Sequence, residues 1–111
     1  MKFETLTLNK DFRRLYGRGK SLVSPHFVTY FSKNSRDLIR IGITTGKKLG
    51  IAVNRNRARR LIRAAFREIL PHINGGYDFV FVARVRILSA KSTFIAEEMK
   101  KQLIDAGLWK D

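Results

Sequence analysis

The segment Ala52–Leu70 constrains this chain most, because it combines a dense cluster of arginines with apolar residues at helical spacing. Six arginines lie within it without an intervening acidic residue: Arg55, Arg57, Arg59, Arg60, Arg63 and Arg67. Residues at i, i+4, i+7 and i+11 form one polar set, Asn56, Arg60, Arg63 and Arg67, and one apolar set, Ala58, Ile62, Ala65 and Ile69. The two sets predict an amphipathic helix with opposite cationic and apolar faces.

The predicted ends of this helix are Asn54, whose side chain suits an N-cap, and Pro71, which cannot continue a helix. Arginines near the N-terminus oppose the helix dipole, whose positive end prefers an anion. Ordinary surface helices intersperse glutamate with lysine, whereas the first acid here is Glu68. The pattern therefore favours a phosphate-binding helix over a solvated charged surface.

The overall charge points to the same kind of partner. The 111 residues include 23 Lys and Arg against 9 Asp and Glu, which gives a net charge of +14. Such a charge favours a polyanion, and nucleic acid is preferred to a membrane because the apolar helix face is needed for the core. The length predicts one domain over residues 1–111. Without cysteines, a long apolar run or a signal-peptide pattern, we expect a cytoplasmic protein that binds no membrane.

A second helix is predicted before Gly17, capped by Thr7 or Asn9. Its Phe12, Leu15 and Tyr16 share one side, while Arg13, Arg14, Arg18 and Lys20 surround them. Aromatic residues among cations suit a surface that stacks unpaired bases and pairs with phosphates. The spacing supports a core role for Phe12 and Tyr16 equally well.

The remaining elements are three predicted strands and a C-terminal helix. Alternation at 26–32 and β-branched residues at 38–45 predict a hairpin closed by the turn 34–37, after an extended loop at 18–25. The apolar run 77–85 predicts a strand that is covered on both faces or lies centrally in the sheet. Ser92 is the predicted cap of the last helix, Gly107 is its predicted stop, and Phe94, Ile95, Met99, Leu103 and Ile104 are its predicted buried residues.

The polypeptide offers little for catalysis. Its nine acids are scattered along the chain, its two histidines are far apart in sequence, and no serine lies in a nucleophile-elbow pattern. His26 is interpreted as a polar surface residue at a strand start. We expect neither catalytic residues nor a metal site on the protein.

The chain resembles the protein subunit of bacterial ribonuclease P. The segment Asn54–Glu68 is similar to the family signature R-N-x-x-K-R-x-x-R, whose defined positions are occupied by Arg55, Asn56, Arg59, Arg60 and Arg63. Arg59 stands where lysine is usual, and Thr45-Gly46 stands where the family often has serine beside a small residue. Further similar segments are Asp11-Phe12 with Tyr16, His26–Tyr30, Lys47–Gly50 and Tyr77-Asp78.

The resemblance implies a single α+β domain of the order α-β-β-β-α-β-α, like the second domain of ribosomal protein S5, with a left-handed βαβ crossover. That order contains one strand more than the patterns predict, and we expect the missing strand at Ile51–Val53. A left-handed crossover departs from the usual right-handed preference.

The implied function is to assist a catalytic RNA that removes 5′ leaders from precursor tRNA by Mg²⁺-dependent endonucleolytic hydrolysis. The residues implied to bind the catalytic RNA are Arg55, Asn56, Arg57, Arg59, Arg60, Arg63, Arg67, Lys47 and Lys48. The residues implied to bind the single-stranded leader are Phe12, Arg13, Tyr16 and Tyr30.

Two other functions are compatible with the residue patterns. A structural RNA-binding protein of ribosomal type would use Phe12, Tyr16 and Tyr30 as core residues, so that alanine substitutions would unfold it. A DNA-binding protein would place the basic helix in the major groove, but arginine alone mostly reads phosphate and guanine, and we expect no DNA partner.

Overall fold

Three α-helices cover the two faces of one five-stranded sheet in the computed structural model, which describes residues 3–111. The helices are α1 (Asn9–Arg18), α2 (Ala52–Ile69) and α3 (Ser92–Asp105). The strands are β1 (Glu4–Thr5), β2 (Lys20–Val23), β3 (Phe27–Lys33), β4 (Ile39–Thr45) and β5 (Tyr77–Ala83). Short 3₁₀ turns occupy Lys47–Leu49, Leu70–His72 and Val85–Ser89. After the short β1, the order is the expected α-β-β-β-α-β-α.

Strand β5 lies at the centre of the sheet, whose order is β1-β4-β5-β3-β2. It pairs parallel with β4 and antiparallel with β3. The predicted hairpin between 26–32 and 38–45 is therefore wrong, because β5 separates those two strands. Strand β5 has a near-continuous apolar sequence, which suits a central strand whose two faces are both covered. The turn at 34–37 reverses the chain without pairing its flanking strands.

The patterns missed two strands: the two-residue β1, and β2, which lies within the segment predicted to be a loop. Strand β2 is a short edge strand that pairs antiparallel with β3, and three of its four residues are exposed. The expected strand at 51–53 is wrong, since α2 already begins at Ala52. The expected crossover through α2 is present, but it starts from β4 and not from a strand at 51–53, and its left-handedness stays a prediction.

The main core lies between the sheet and helices α2 and α3. The predicted apolar face of α2 is confirmed, because Ala58, Ile62, Ala65 and Ile69 are all at most 3% exposed. Phe66 is fully buried and contacts the rings of Phe79 and Phe81 on β5. Burial of one such side chain stabilises the fold by roughly 1.5–3 kcal/mol, so this face is committed to packing.

The predicted stops at Pro71 and Gly107 are confirmed, since α2 ends at Ile69, but the predicted N-caps and the stop at Gly17 are wrong. The residues at the N-cap positions of the three helices are Leu8, Ile51 and Lys91, and none makes a side-chain cap hydrogen bond. Helix α1 continues through Gly17 to Arg18. Gly107 has φ +76°, which confirms it as the left-handed stop after α3.

Two apolar residues of α3 are exposed although burial was predicted. Phe94 and Ile104 are 52% and 51% exposed, whereas Ile95, Met99 and Leu103 are buried. Adjacent residues on a helix are about 100° apart, so Phe94 and Ile95 could not both face the sheet, nor could Leu103 and Ile104.

No helix within residues 3–111 has the length and apolar character needed to cross a membrane.

Helix α1 alone covers the other face of the sheet, and it covers only part of it. Leu15 is fully buried in a small core with Leu6 and Val80. Phe12 lies against Gly42, where a Cβ atom would come within 2.5 Å of the ring, so a larger residue would displace it. In the next cross-strand row, Val82 and Thr44 stay partly exposed. An open surface therefore remains at the carboxyl ends of β4 and β5.

A buried ionic cluster fixes α1 to the sheet. Asp78 on β5 is fully buried and accepts hydrogen bonds from Arg40 Nε (2.8 Å) and Nη2 (2.7 Å) on β4. Arg14 on α1 donates to the same carboxylate at 2.6 Å, and the Asn34 amide donates at 2.8 Å. Burial alone would raise the pKa of Asp78, but the hydrogen bonds from Arg40, Asn34 and Arg14 outweigh it and lower the pKa. Asp78 is thus charged and fully paired.

Candidate nucleic-acid interface

The outward face of α2 carries the cations that the sequence predicted. Arg57, Arg60, Arg63 and Arg67 are exposed, as is Asn56, while Arg55 and Arg59 are partly buried. Within residues 3–111, no salt bridge involves an α2 arginine. This face is therefore a row of positive charge that the protein's own carboxylates leave unneutralised.

Several of these arginines also contact the protein itself. Arg57 Nε donates to the Leu88 carbonyl at 3.2 Å, and the Arg67 guanidinium lies 5.8 Å from the centre of the Phe3 ring. The Nε atom of Arg55 is buried and has no hydrogen-bond acceptor among the described residues. Arg60 and Arg63 are exposed, and within residues 3–111 their side chains make no hydrogen bond, ion pair or cation–π contact. They are the arginines most available to a partner.

Arg59 fixes the start of α2 to the end of β4. One guanidinium nitrogen donates to Thr45 Oγ1 at 2.9 Å, and the other donates to Asn56 Oδ1 at 3.1 Å. The two departures from the family pattern thus contact each other. The longer, forked arginine reaches a threonine hydroxyl and orients the neighbouring asparagine at the same time.

The turn between β4 and α2 presents two exposed lysines, Lys47 and Lys48. Gly50 has φ +88°, a conformation that residues with a Cβ atom rarely adopt. Asn54, the predicted cap, instead donates from its side-chain amide to the Leu49 carbonyl at 3.0 Å. These contacts hold both lysines beside the first turn of α2.

Two tyrosines form the inner end of an aromatic cleft, which we define by Tyr16, Tyr30, Thr44 and Val82. The Tyr16 hydroxyl lies 2.6 Å from Thr44 Oγ1, and the rings of Tyr16 and Tyr30 meet edge to face at 5.0 Å. Tyr16 is 41% exposed, whereas Phe12 is partly buried against Gly42. Arg13 is exposed on α1. The structure brings Tyr16 and Tyr30 together and packs Phe12 against Gly42, whereas Tyr16 stays more exposed.

A basic groove of about 560 Å³ lies at the carboxyl ends of β4 and β5. Four cations line it, Lys47, Lys48, Arg84 and Arg86, with no acid among the lining residues. Its lining includes Thr44 and Val82, so the groove continues the aromatic cleft. Neither Arg84 nor Arg86 was among the binding residues that the sequence predicted. A parallel β4–β5 pair would have indicated them, because the carboxyl ends of parallel strands meet at one edge.

The carboxylates are occupied by neighbouring cations or lie apart. Asp11 and Asp78 lie near each other, and both contact Arg14 and Arg40. No group of three or more His, Asp or Glu side chains within residues 3–111 is arranged to hold a metal ion. His26 Nδ1 lies 2.8 Å from Glu98 Oε1, and both side chains are mostly buried. His26 thus joins the start of β3 to α3 and differs from the surface residue that the sequence predicted.

The sequence matches one protein family along almost its whole length. The profile of the family described as Ribonuclease P matches residues 1–107. The ribonuclease P protein component of Clostridioides difficile (strain 630) is 44% identical over 96 residues, which cover 86% of this chain and 84% of that protein. The ribonuclease P protein component of Pelotomaculum thermopropionicum is 41% identical over 100 residues, with 90% and 89% covered.

The fold is similar to solved structures with related names. The RNase P protein of Staphylococcus aureus superposes with a TM-score of 0.83 at 33% identity, and the match covers 98% of this chain and 100% of that one. The RNase P protein of Thermotoga maritima gives a TM-score of 0.78 at 32% identity, with coverage of 88% and 93%.

Proposed function

This chain belongs to the ribonuclease P protein family, and we propose that it is the protein component of a ribonucleoprotein that removes the 5′ leader from precursor tRNA. The observation that carries this proposal is that the basic turn at Lys47 and Lys48 leads from an unneutralised arginine face on α2 to the groove that continues an open aromatic cleft. The arginine face suits structured RNA and the cleft suits an unpaired strand.

We assign the catalytic RNA to α2 and the adjoining turn. Arg60 and Arg63 would pair with backbone phosphates, since both are exposed and free of carboxylates. Lys47 and Lys48 extend the same cationic surface. Arg59 and Asn56 would act through their mutual hydrogen bond, which sets the geometry of the first turns.

We assign the single-stranded leader to the aromatic cleft and the basic groove that continues it. Stacking on Tyr16 and Tyr30 tolerates any base, as a leader of variable sequence requires. Arg13, Arg84 and Arg86 would pair with leader phosphates. Phe12 supports the cleft from beneath by packing on Gly42.

We place hydrolysis and its Mg²⁺ on the RNA partner. Asp11 and Asp78 share the same two arginines, which would compete with a cation for the carboxylate oxygens. The protein would contribute affinity and position, and the reacting phosphodiester would be activated by groups of the RNA and its ions.

The experiment that tests this proposal is cleavage of a precursor tRNA at low Mg²⁺ by a bacterial ribonuclease P RNA. We expect strong stimulation by this protein and no cleavage by the protein alone. Tight RNA binding without stimulation would favour the alternative of a structural RNA-binding protein. Cleavage by the protein alone would overturn the assignment of catalysis to the RNA.

Substitution of Tyr16 tests the leader assignment. We expect Tyr16→Ala to weaken binding of a precursor with a long leader roughly 5- to 150-fold, since stacking contributes about 1–3 kcal/mol per base. Affinity for tRNA without a leader should not change. The measurement is the dissociation constant of each substrate from the assembled holoenzyme.

Tyr16→Phe is the matched control, because it keeps the ring and removes only the hydroxyl that meets Thr44. It should retain most of the affinity. The urea midpoint of Tyr16→Ala should stay close to that of the unmodified protein, because the side chain is 41% exposed. Equal losses for both substrates, or unfolding, would contradict a leader contact.

A further inference from the structure

A second cationic groove lies on the far side of α1 from the aromatic cleft. We name it the distal groove, with a volume of about 410 Å³. It is lined by Leu8, Lys10, Asp11, Arg14, Lys33, Asn34, Ser35, Arg36 and Arg40. Five of these residues are cations and one is an acid. Neither α2 nor the aromatic cleft contributes a residue to it.

The cations of the distal groove fall into two groups. Arg14 and Arg40 are held by the buried carboxylate of Asp78, which fixes their positions. Lys10, Lys33 and Arg36 are exposed, and within the described residues none has an ion-pair partner. The fold thus gathers three uncompensated cations from α1, the end of β3 and the following turn. Such a cluster attracts a polyanion.

The chemistry of the lining indicates which form of RNA would fit. No aromatic ring lines the distal groove, so it offers unpaired bases no stacking surface. Lysine and arginine at a polar surface instead suit the regularly spaced phosphates of a base-paired segment, which proteins recognise by shape and backbone.

We propose that the distal groove binds the backbone of a base-paired segment of the catalytic RNA, at a place separate from the α2 contact. This inference rests on the proposed function, because it gives the same RNA partner a second surface. Helix α1 then separates two RNA elements: the single-stranded leader on its tyrosine side and a double helix on its lysine side.

The binding experiment compares two triple variants of equal charge. Lys10→Gln, Lys33→Gln and Arg36→Gln are combined in one protein, and Lys91→Gln, Lys101→Gln and Lys110→Gln in the control. We expect the distal-groove variant to bind the catalytic RNA at least about 8-fold more weakly at about 0.1 M salt, and the slope of log K against log salt to flatten by about 1 to 3. The control should change affinity about 2-fold, through screened long-range attraction alone.

A tethered probe identifies the occupant of the groove. The chain has no cysteine, so Ser35→Cys provides a single site in the groove for an iron chelate that cleaves nearby RNA backbones. In the active holoenzyme with precursor tRNA, we expect scission on both strands of one base-paired segment of the catalytic RNA. The same chelate at Thr93→Cys, on exposed α3, should leave that segment intact.

Each opposite result would overturn the inference. Equal affinities of the two triple variants would show that the groove makes no phosphate contact. Scission confined to the leader or to the tRNA would show that the occupant is the substrate. If the unmodified protein does not stimulate the RNA at all, the proposed function is wrong. If it does stimulate the RNA but the two triple variants bind equally well, only the inference about the distal groove is wrong.

Discussion

Replacement of Arg60 and Arg63 together by glutamine is expected to weaken binding of the catalytic RNA roughly 60-fold at about 0.1 M salt. Both guanidinium groups lie on the exposed face of α2, and within residues 3–111 they make no hydrogen bond or ion pair. Each lost phosphate contact removes roughly 8-fold in affinity at that salt concentration, and the slope of log K against log salt should flatten by about 2. The measurement is a titration of labelled RNA at several salt concentrations.

The control for this prediction is Lys91→Gln with Lys110→Gln, which removes the same charge from residues outside α2. We expect it to keep nearly full affinity. The Arg60 and Arg63 variant should unfold at the same urea concentration as the unmodified protein, because glutamine is also a good helix former. An unchanged salt slope would contradict the assignment of this face to RNA phosphates.

The features that the sequence could predict are those set by neighbouring residues. The apolar and cationic faces of α2 follow from a spacing of three and four residues, which any helix must place on opposite sides. Its burial pattern, from Ala58 to Ile69, therefore agrees with the prediction. Likewise, Gly107 ends α3 in the left-handed conformation that its position suggested.

The features that it could not predict depend on residues distant in the chain. Strand β2 forms because it can pair with the edge of β3, whereas its own four residues show only a weak strand pattern. The insertion of β5 between β3 and β4 depends on burial of both its faces, whereas the turn at 34–37 suggested a local hairpin. Pairing partners are set by tertiary packing, which propensity does not encode.

The candidate site shows the same division. Phe12 and Tyr16 are one helical turn apart, and their spacing allowed the same two roles for both, base stacking or core packing. In the structure, their environments differ. Gly42 has no side chain, so Phe12 packs against it. The Tyr16 hydroxyl instead contacts Thr44, which is partly exposed. The positions of Gly42 and Thr44 along β4 therefore decide which aromatic residue stays available to a ligand, once α1 has docked on that strand.

Removal of the Asp78 carboxylate, which lies at the centre of the ionic cluster that fixes α1 to the sheet, should have the largest effect on stability. We expect Asp78→Ala to lower the free energy of unfolding by about 3 kcal/mol near neutral pH. This value is the lower end of the usual range for breaking a buried pair, because the Arg14 side chain is 34% exposed and solvent screens part of its charge. Urea denaturation in constant sulfate would measure it.

The loss should depend on pH in a defined direction. Hydrogen bonds hold the pKa of Asp78 below its ordinary value of 3.8, so the folded state favours the ionised carboxylate. The stabilisation is therefore complete above about pH 4 to 5 and disappears as the pH falls through the folded pKa. The difference in unfolding free energy between the two proteins should shrink over that acidic range.

Asp78→Asn separates charge from shape. Asparagine keeps the volume and can still accept hydrogen bonds through its one carbonyl oxygen, but it leaves Arg14 and Arg40 with only the longer contacts to Asp11. We expect a loss of stability smaller than that of alanine and without the acid dependence. If Asp78→Ala were as stable as the unmodified protein at neutral pH, the ionic cluster would contribute nothing to holding α1 on the sheet, which would then depend on the packing of Leu15 and Phe12 and on the Tyr16–Thr44 hydrogen bond.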